Sequence, residues 1–395
     1  MSVPVSEAGW RTVKFGDVVR LCKEKVDRDN NPFERYVEGG HMDSENIHIR
    51  RWGEFGEDYV GPAFHRIFRK GQILYGSRRT YLKKVAVAEF DGITANTTFV
   101  LETKDQSIFM QELLPFLMLT DKFTQHSIQE SKGSTNPYIN WPDIAKFEFP
   151  LPPIEEQKRI AEILWAADEA VERWSQSIKD LRLLIGNLGV AYFKNANLDH
   201  DKFSEHVAES AYGPRFSNSL YSESGAVGQI RTTDLSDDGT VNYSTVPMAH
   251  LDTGEYQQHI LKSGDLLISR SGTIGIACVF EEQSVPMLPG AFLIRFRLKE
   301  TLHPEFVREY FNSPIGRKHT SRLAQGGVQS NLRGSALLNE WVPILSVLDQ
   351  EKTVDIFFHL REELTILYEH KAKAKQVLRV LCNQALMGEE RSTHV

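Results

Sequence analysis

Between Ile154 and Phe193 the apolar positions keep one register: Ile160, Leu164, Ala167, Val171, Trp174, Ile178, Leu181, Ile185 and Leu188. The steps between them alternate four and three. That is a heptad seam of about four repeats, the spacing that keeps a narrow stripe of helix against a partner helix. Pro152 and Pro153 stop whatever precedes, and no proline interrupts the run. At ~1.5 Å per residue, such a helix would extend roughly 58 Å. The seam returns 193 residues later as Thr353, Phe357, Leu360, Leu364, Leu367, Lys371, Ala374, Leu378 and Leu381. Pro150 and Gln157 return with it, as Pro343 and Gln350. Two matching helices predict an antiparallel coiled coil within one chain, with Thr353 and Lys371 as the polar seam positions that can set register.

The stretches before each helix also repeat. The first has short strand patterns at 71–77, 83–90 and 97–102, with Asp91-Gly92 as a turn. A helical run at 107–119, interrupted by Pro115, and a polar loop at 132–140 follow. In the second stretch Gly264-Asp265-Leu266-Leu267 answers Gly71-Gln72-Ile73-Leu74, and Gly326 answers Gly133, both at the offset of 193. Phe203-Ser204-Glu205 answers Phe15-Gly16-Asp17 at a shorter offset. The predicted fold is α+β with a pseudo-twofold repeat. A β-rich module at 1–150 is followed by a helical region at 151–196, a second module at 197–343 and a second helical region at 344–395.

Composition narrows the class. Hydrophobic content of 41% and charged content of 25% over 395 residues are those of an ordinary globular protein. No run of 18 apolar residues and no signal-like start are present, so a cytoplasmic protein without a membrane span is expected. Cys22, Cys278 and Cys382 lie too far apart for a CxxC motif, and the 13 histidines show no ligand spacing, so no metal site is expected. The net charge of −7 argues against a protein that coats nucleic acid, yet the charge is uneven. From His65 to Lys84 there are seven basic residues and no acid, with Tyr75 and Tyr81 interleaved. From Tyr310 to Asn339 there are four basic residues and no acid. Such windows suit phosphates and base edges.

Two similar modules on a rod a few tens of ångströms long match the ~34 Å repeat at which pseudo-twofold proteins meet DNA half-sites. Because the modules differ in sequence, the half-sites should differ. The candidate DNA-binding residues of the first module are Arg78, Arg79, Tyr81, Lys83 and Lys84, with Lys132, Ser134 and Asn136 from its loop. Those of the second are Arg270, Arg317, Lys318, Arg322, Gln329, Asn331 and Arg333. Arginine pairs with guanine, and Asn or Gln with adenine, in the commonest readout geometries, whereas other cations in the set would clamp phosphates. Trp174 falls on the seam. Trp165 falls just beside it, free either to pack on the first module or to face a partner.

The segments FPLPPIEEQKRIAEIL (149–164), VPILSVLDQEKTVDIF (342–357) and ISRSGTIG (268–275) carry a resemblance. They are similar to the specificity subunit of type I restriction–modification systems, over essentially the whole chain. Ser346 and Val347 depart from the pattern where the first copy has Pro153 and Ile154. The resemblance implies a non-catalytic reader of a split sequence in double-stranded DNA, one half per target-recognition domain, with the helices setting the spacer. It implies two methylation subunits, which use S-adenosylmethionine to methylate adenine, and two restriction subunits, driven by ATP and Mg, that can join them. No cofactor is expected in this chain. Asn136-Pro137-Tyr138 falls one proline short of an amine methyltransferase tetrapeptide, and no P-loop is present. At the E-x-K position of metal-dependent nucleases, Glu148 is followed by Pro150 in place of lysine. The alternative is a coiled-coil interaction scaffold that does not recognise DNA.

Overall fold

A computed structural model describes residues 9–27, 30–56, 60–195, 198–324 and 331–388. The chain divides into two compact units. The first joins residues up to Ser175 with those from Glu369 onward, and the second runs Gln176–Tyr368. Each unit therefore holds one β-rich module and half of each long helix.

In the first unit the strands are β1 (Arg11–Lys14), β2 (Val19–Cys22), β3 (Arg35–Val37), β4 (Gly53–Glu54) and β5 (Phe64–Phe68), then β6 (Ile73–Gly76), β7 (Val85–Val87), β8 (Gly92–Ala95), β9 (Thr98–Thr103) and β10 (Glu148–Leu151). One sheet has the order β2-β9-β6-β7 and is antiparallel throughout. A second has the order β4-β3-β8-β5, with β3 and β8 parallel. β1 pairs with β10, which leads into the first long helix. All of β6 is buried because its two faces meet different cores. Ile73 and Tyr75 join Phe15, Phe116 and Phe123, while Leu74 joins Val37, Phe68 and Val100. A strand covered on both faces reads as a continuous apolar run rather than as an alternation.

The second unit repeats this plan with β11 (Asp199–Lys202), β12 (Val207–Tyr212), β13 (Val227–Ile230), β14 (Met248–Ala249) and β15 (Leu266–Ser269), then β16 (Ala277–Val279), β17 (Met287–Pro289), β18 (Leu293–Leu298) and β19 (Trp341–Ile344). Its sheets are β12-β18-β15-β16, β14-β13-β17 with β13 and β17 parallel, and β11-β19. Of the first module's strands only β5 has no counterpart among the described residues. The weakly aligned starts correspond as well, since four-residue helices occupy Phe15–Val18 and Phe203–His206.

The long helices run Ile154–Phe193 and Val347–Met387. Along the seam Ile160, Leu164, Val171, Ile178, Phe357 and Leu364 are buried, and Trp174, Leu181, Leu360, Leu367, Leu378 and Leu381 are half-buried. In the first unit Ile160 and Leu164 share a core with Leu378, Leu381 and Leu386. In the second, Ile185 and Leu188 meet Val354 and Phe357. Early turns of one helix thus meet late turns of the other in both units, which makes the pair antiparallel. Trp174 packs edge-on to His370 at 4.8 Å. Trp165 faces the first module: its Nε1 donates to Glu112 O at 3.1 Å, and its ring meets Phe116 edge-on.

The repeated glutamines have a structural task. Gln157 is buried; its Oε1 accepts from Met110 N at 2.9 Å, and its Nε2 donates to Ile108 O and Pro152 O. Gln350 does the same, accepting from His303 N at 2.7 Å and donating to Thr301 O and Leu345 O. Each module is also keyed to the helices by charge or by close packing. Asp168 lies 2.7 Å from His48 Nε2, and Arg379 and Asn383 hold Asp121. Arg361 pairs with Glu309 through two bonds of 2.8 and 2.9 Å. Gly189 leaves room for Ser313, which a Cβ there would approach to 3.1 Å. That contact gives a reason for a residue that otherwise weakens a helix.

Candidate nucleic-acid interface

In the first module, the turn after β6 and the polar loop at 132–140 come together although more than fifty residues separate them. Ile139 N donates to Ser77 O at 2.9 Å and Arg79 N to Pro137 O at 2.7 Å, while Tyr138 forms β-bridges to both Arg78 and Lys132. Arg79 (φ 49°) and Lys83 (φ 47°) flank a single 3₁₀ turn, Thr80–Leu82, in the left-handed region that residues other than glycine seldom occupy. Such backbone strain is concentrated at functional sites. Here it turns Arg78, Arg79 and Tyr81 outward; Tyr81 is 53% exposed. The Arg78 guanidinium lies 5.9 Å from the centre of the Tyr138 ring. Ser134 and Asn136 are exposed on the same loop. A cleft lined by Arg78, Asn96, Lys132, Tyr138 and Trp141 opens beside it.

The positive window is partly neutralised in space. Lys83 is bound by Asp121 at 2.9 Å and Glu45 at 3.2 Å, and Arg69 by Glu24 and Asp91. Lys132 pairs with Asp143 at 2.9 Å, which raises its pKa, yet it keeps its ammonium at the surface. Lys84 donates to Gly39 O; burial, then the neighbouring Arg79 and Arg51, lower its pKa. Among the described residues no ion pair engages Arg78 or Arg79.

In the second module the corresponding joint is made by Leu332 N and Arg270 O at 2.8 Å, both 193 residues beyond their counterparts in the first. Arg270 stacks 4.6 Å from the centre of the Tyr212 ring, and its Nε donates to Asn331 Oδ1 at 3.1 Å. Arg333 is exposed two residues further on. Arg317 turns inward, donating to Asp237 O at 2.7 Å, and burial lowers its pKa. Lys318 is exposed on the helix Pro314–Leu323, and Arg322 on the same helix pairs with Glu340 at 3.2 Å. Gln329 lies outside the described residues.

A family model described as "Type I restriction modification DNA specificity domain" matches residues 7–181. The type I restriction enzyme MjaVIII specificity subunit of Methanocaldococcus jannaschii is 24% identical, over 97% of this chain and 93% of its own length. The EcoDI specificity subunit of Escherichia coli is 27% identical, over 43% of this chain and 38% of its own. A solved chain from work on complex assembly and conformational transition of the type I R-M system superposes with a TM-score of 0.60 at 21% identity, over 97% of this chain and 99% of that one. The S subunit from M. genitalium superposes at 0.52 with 15% identity, over 97% of each chain. These two likenesses show the fold, and the full-length relative extends the match across both modules. Residues 7–181 thus match a type I restriction–modification DNA specificity domain, and the likeness to the MjaVIII specificity subunit runs nearly the length of the chain.

Exposed aromatics beside these arginines were not among the candidates read from the sequence. Tyr138, Tyr212 and Phe292 are 39%, 44% and 49% exposed, and Arg215 lies 5.9 Å from the centre of the Phe292 ring. For Tyr212 and Arg215 the signal was present in YGPRFSNSLY (212–221), a turn-rich run that interleaves aromatics with arginine, but only one basic residue marks it. Exposed aromatics beside arginines are suited to stacking and to base edges.

Proposed function

We propose that this chain reads a split target in double-stranded DNA, one half per module, and directs catalytic subunits to it. One observation carries the reading. Two modules of the same topology present different side chains at the same joint: Arg78, Tyr138 and Lys132 in one, Arg270, Tyr212 and Asn331 in the other. A coiled-coil scaffold that does not recognise DNA has no use for two exposed arginine–aromatic loops at equivalent places. The DNA specificity named in the matching family model supports the same reading.

In this reading the chain is non-catalytic and holds no cofactor. Two methylation subunits supply S-adenosylmethionine chemistry, and two restriction subunits, using ATP and Mg, can join them to form a cleaving assembly. Leu348, Ile356 and Phe358 are exposed on the second long helix and support a protein partner there. No helix among the described residues is long and apolar enough to cross a membrane. We place the complex in the cytoplasm, with the DNA it acts on. The test is to sequence methylated adenines in the host with and without the gene. A two-part motif should vanish on deletion. Binding by the complex should fall linearly in log affinity against log salt, because phosphate contacts release the counterions condensed on the DNA. A complex that includes the methylation subunit and still binds no DNA would overturn the reading.

A further inference from the structure

Among the basic residues at the second module's reading end, Arg270 is held in a way the others are not. Arg317 is committed to backbone carbonyls, and Arg322 to a carboxylate. The Arg270 guanidinium lies against the Tyr212 ring, and its Nε is fixed by Asn331. Tyr212 is anchored in turn, because its hydroxyl accepts from Gly334 N at 2.9 Å. The Arg270 backbone is tied on both sides: its N donates to Phe292 O at 2.9 Å, and its carbonyl accepts from Leu332 N. Its two terminal nitrogens meet no hydrogen-bond acceptor or carboxylate among the described residues.

A guanidinium with its face stacked and its Nε used has one recognition surface left, the fork of Nη1 and Nη2. That fork needs two acceptors side by side. In the major groove guanine alone offers such a pair on one base, O6 and N7. The geometry points to Arg270 as the residue that reads a guanine in the half-site bound by the second module, with Tyr212 and Asn331 as its positioning residues. This rests on the DNA-reader function proposed above. The first module has no such device at the matching position: 193 residues earlier stands Ser77, whose hydroxyl donates to Thr97 O at 2.7 Å. The two half-sites are therefore read by different chemistry.

The test uses the full chain co-expressed with its methylation subunit, with methylated adenines mapped over a plasmid library. Arg270→Ala should relax one G·C position in one half of the target, lowering preference there by roughly tenfold to a hundredfold. The other half should be unchanged. Arg270→Lys keeps the charge but loses the fork, and should relax the same position. Tyr212→Phe keeps the stacked ring and should retain the preference, whereas Tyr212→Leu should relax it. A purely structural role would instead lower the yield of assembled complex and weaken both halves alike. Three results would overturn the proposal. They are a half-site without a G·C pair, preference retained in Arg270→Lys, or a uniform loss in Arg270→Ala with a shallower salt slope, which marks a phosphate clamp. A wild-type complex that methylates no split motif would sink the reader function itself, and the proposal with it.

Discussion

At the scale of single residues, charge in the sequence and charge in space differ. The window from His65 to Lys84 contains no acid, yet Lys83 and Arg69 are matched by carboxylates from elsewhere in the chain. Arg78 and Arg79 are left to face outward. Linear spacing marked the basic stretch but could not sort its members, because their partners lie up to dozens of residues away. His48 shows a related effect with a measurable consequence. Its hydrogen bond to Asp168 raises its pKa above the ordinary value of 6.5, against the opposing pull of burial. A group whose folded value is raised contributes its stability in full below the unfolded value and loses it as pH climbs through the folded one. Chemical unfolding of the wild type should therefore show a decline in stability from about pH 6.5 upward. His48→Gln should flatten that decline. An equal decline in the variant would place its origin in another group.

At the scale of elements, the helices and their proline-marked entries were legible because heptad spacing is a local property. Ile154–Phe193 begins directly after the proline pair. The purpose of Gln157 and Gln350 was not legible. Their shared offset showed that they repeat, and only folding showed that each buried side chain makes three hydrogen bonds to backbone groups. Gln157→Leu preserves size but strands those groups, and leaving buried donors and acceptors unpaired costs about 3 kcal/mol. Gln350→Leu should cost a similar amount in the second unit. Denaturant titration of the two variants checks both values, and a loss well under 1 kcal/mol would show that water replaces the amide. The strands were harder to read. β6 and β15 are covered on both faces, so their apolar runs carry no alternation that separates strand from buried helix.

At the scale of the whole molecule, a repeat in sequence becomes a repeat in topology, down to the parallel pairs β3–β8 and β13–β17. In the proposed function the long helices set the spacing between half-sites. Four residues inserted between Ser177 and Ile178 would add about 6 Å of helix and shift its heptad phase. Methylome mapping should then return a motif with a changed spacer, or no assembled complex. An unchanged spacer with normal methylation would remove the helices from that role.

Periodicity and offset, which are properties of position along the chain, were enough to predict two modules and two seams, while the segments 149–164, 342–357 and 268–275 carried the family resemblance. They were also enough to mark the turn after β6 and the polar loop as charged and exposed. Which cations stay free, which aromatics surface beside them and what the repeated glutamines bind depended on folding. Each of those outcomes requires groups far apart in sequence to meet within hydrogen-bond distance, and no local pattern encodes that meeting. Arg270 is the clearest case. The chain places it in ISRSGTIG, and only the fold sets it against Tyr212 from β12 and Asn331 from a later loop.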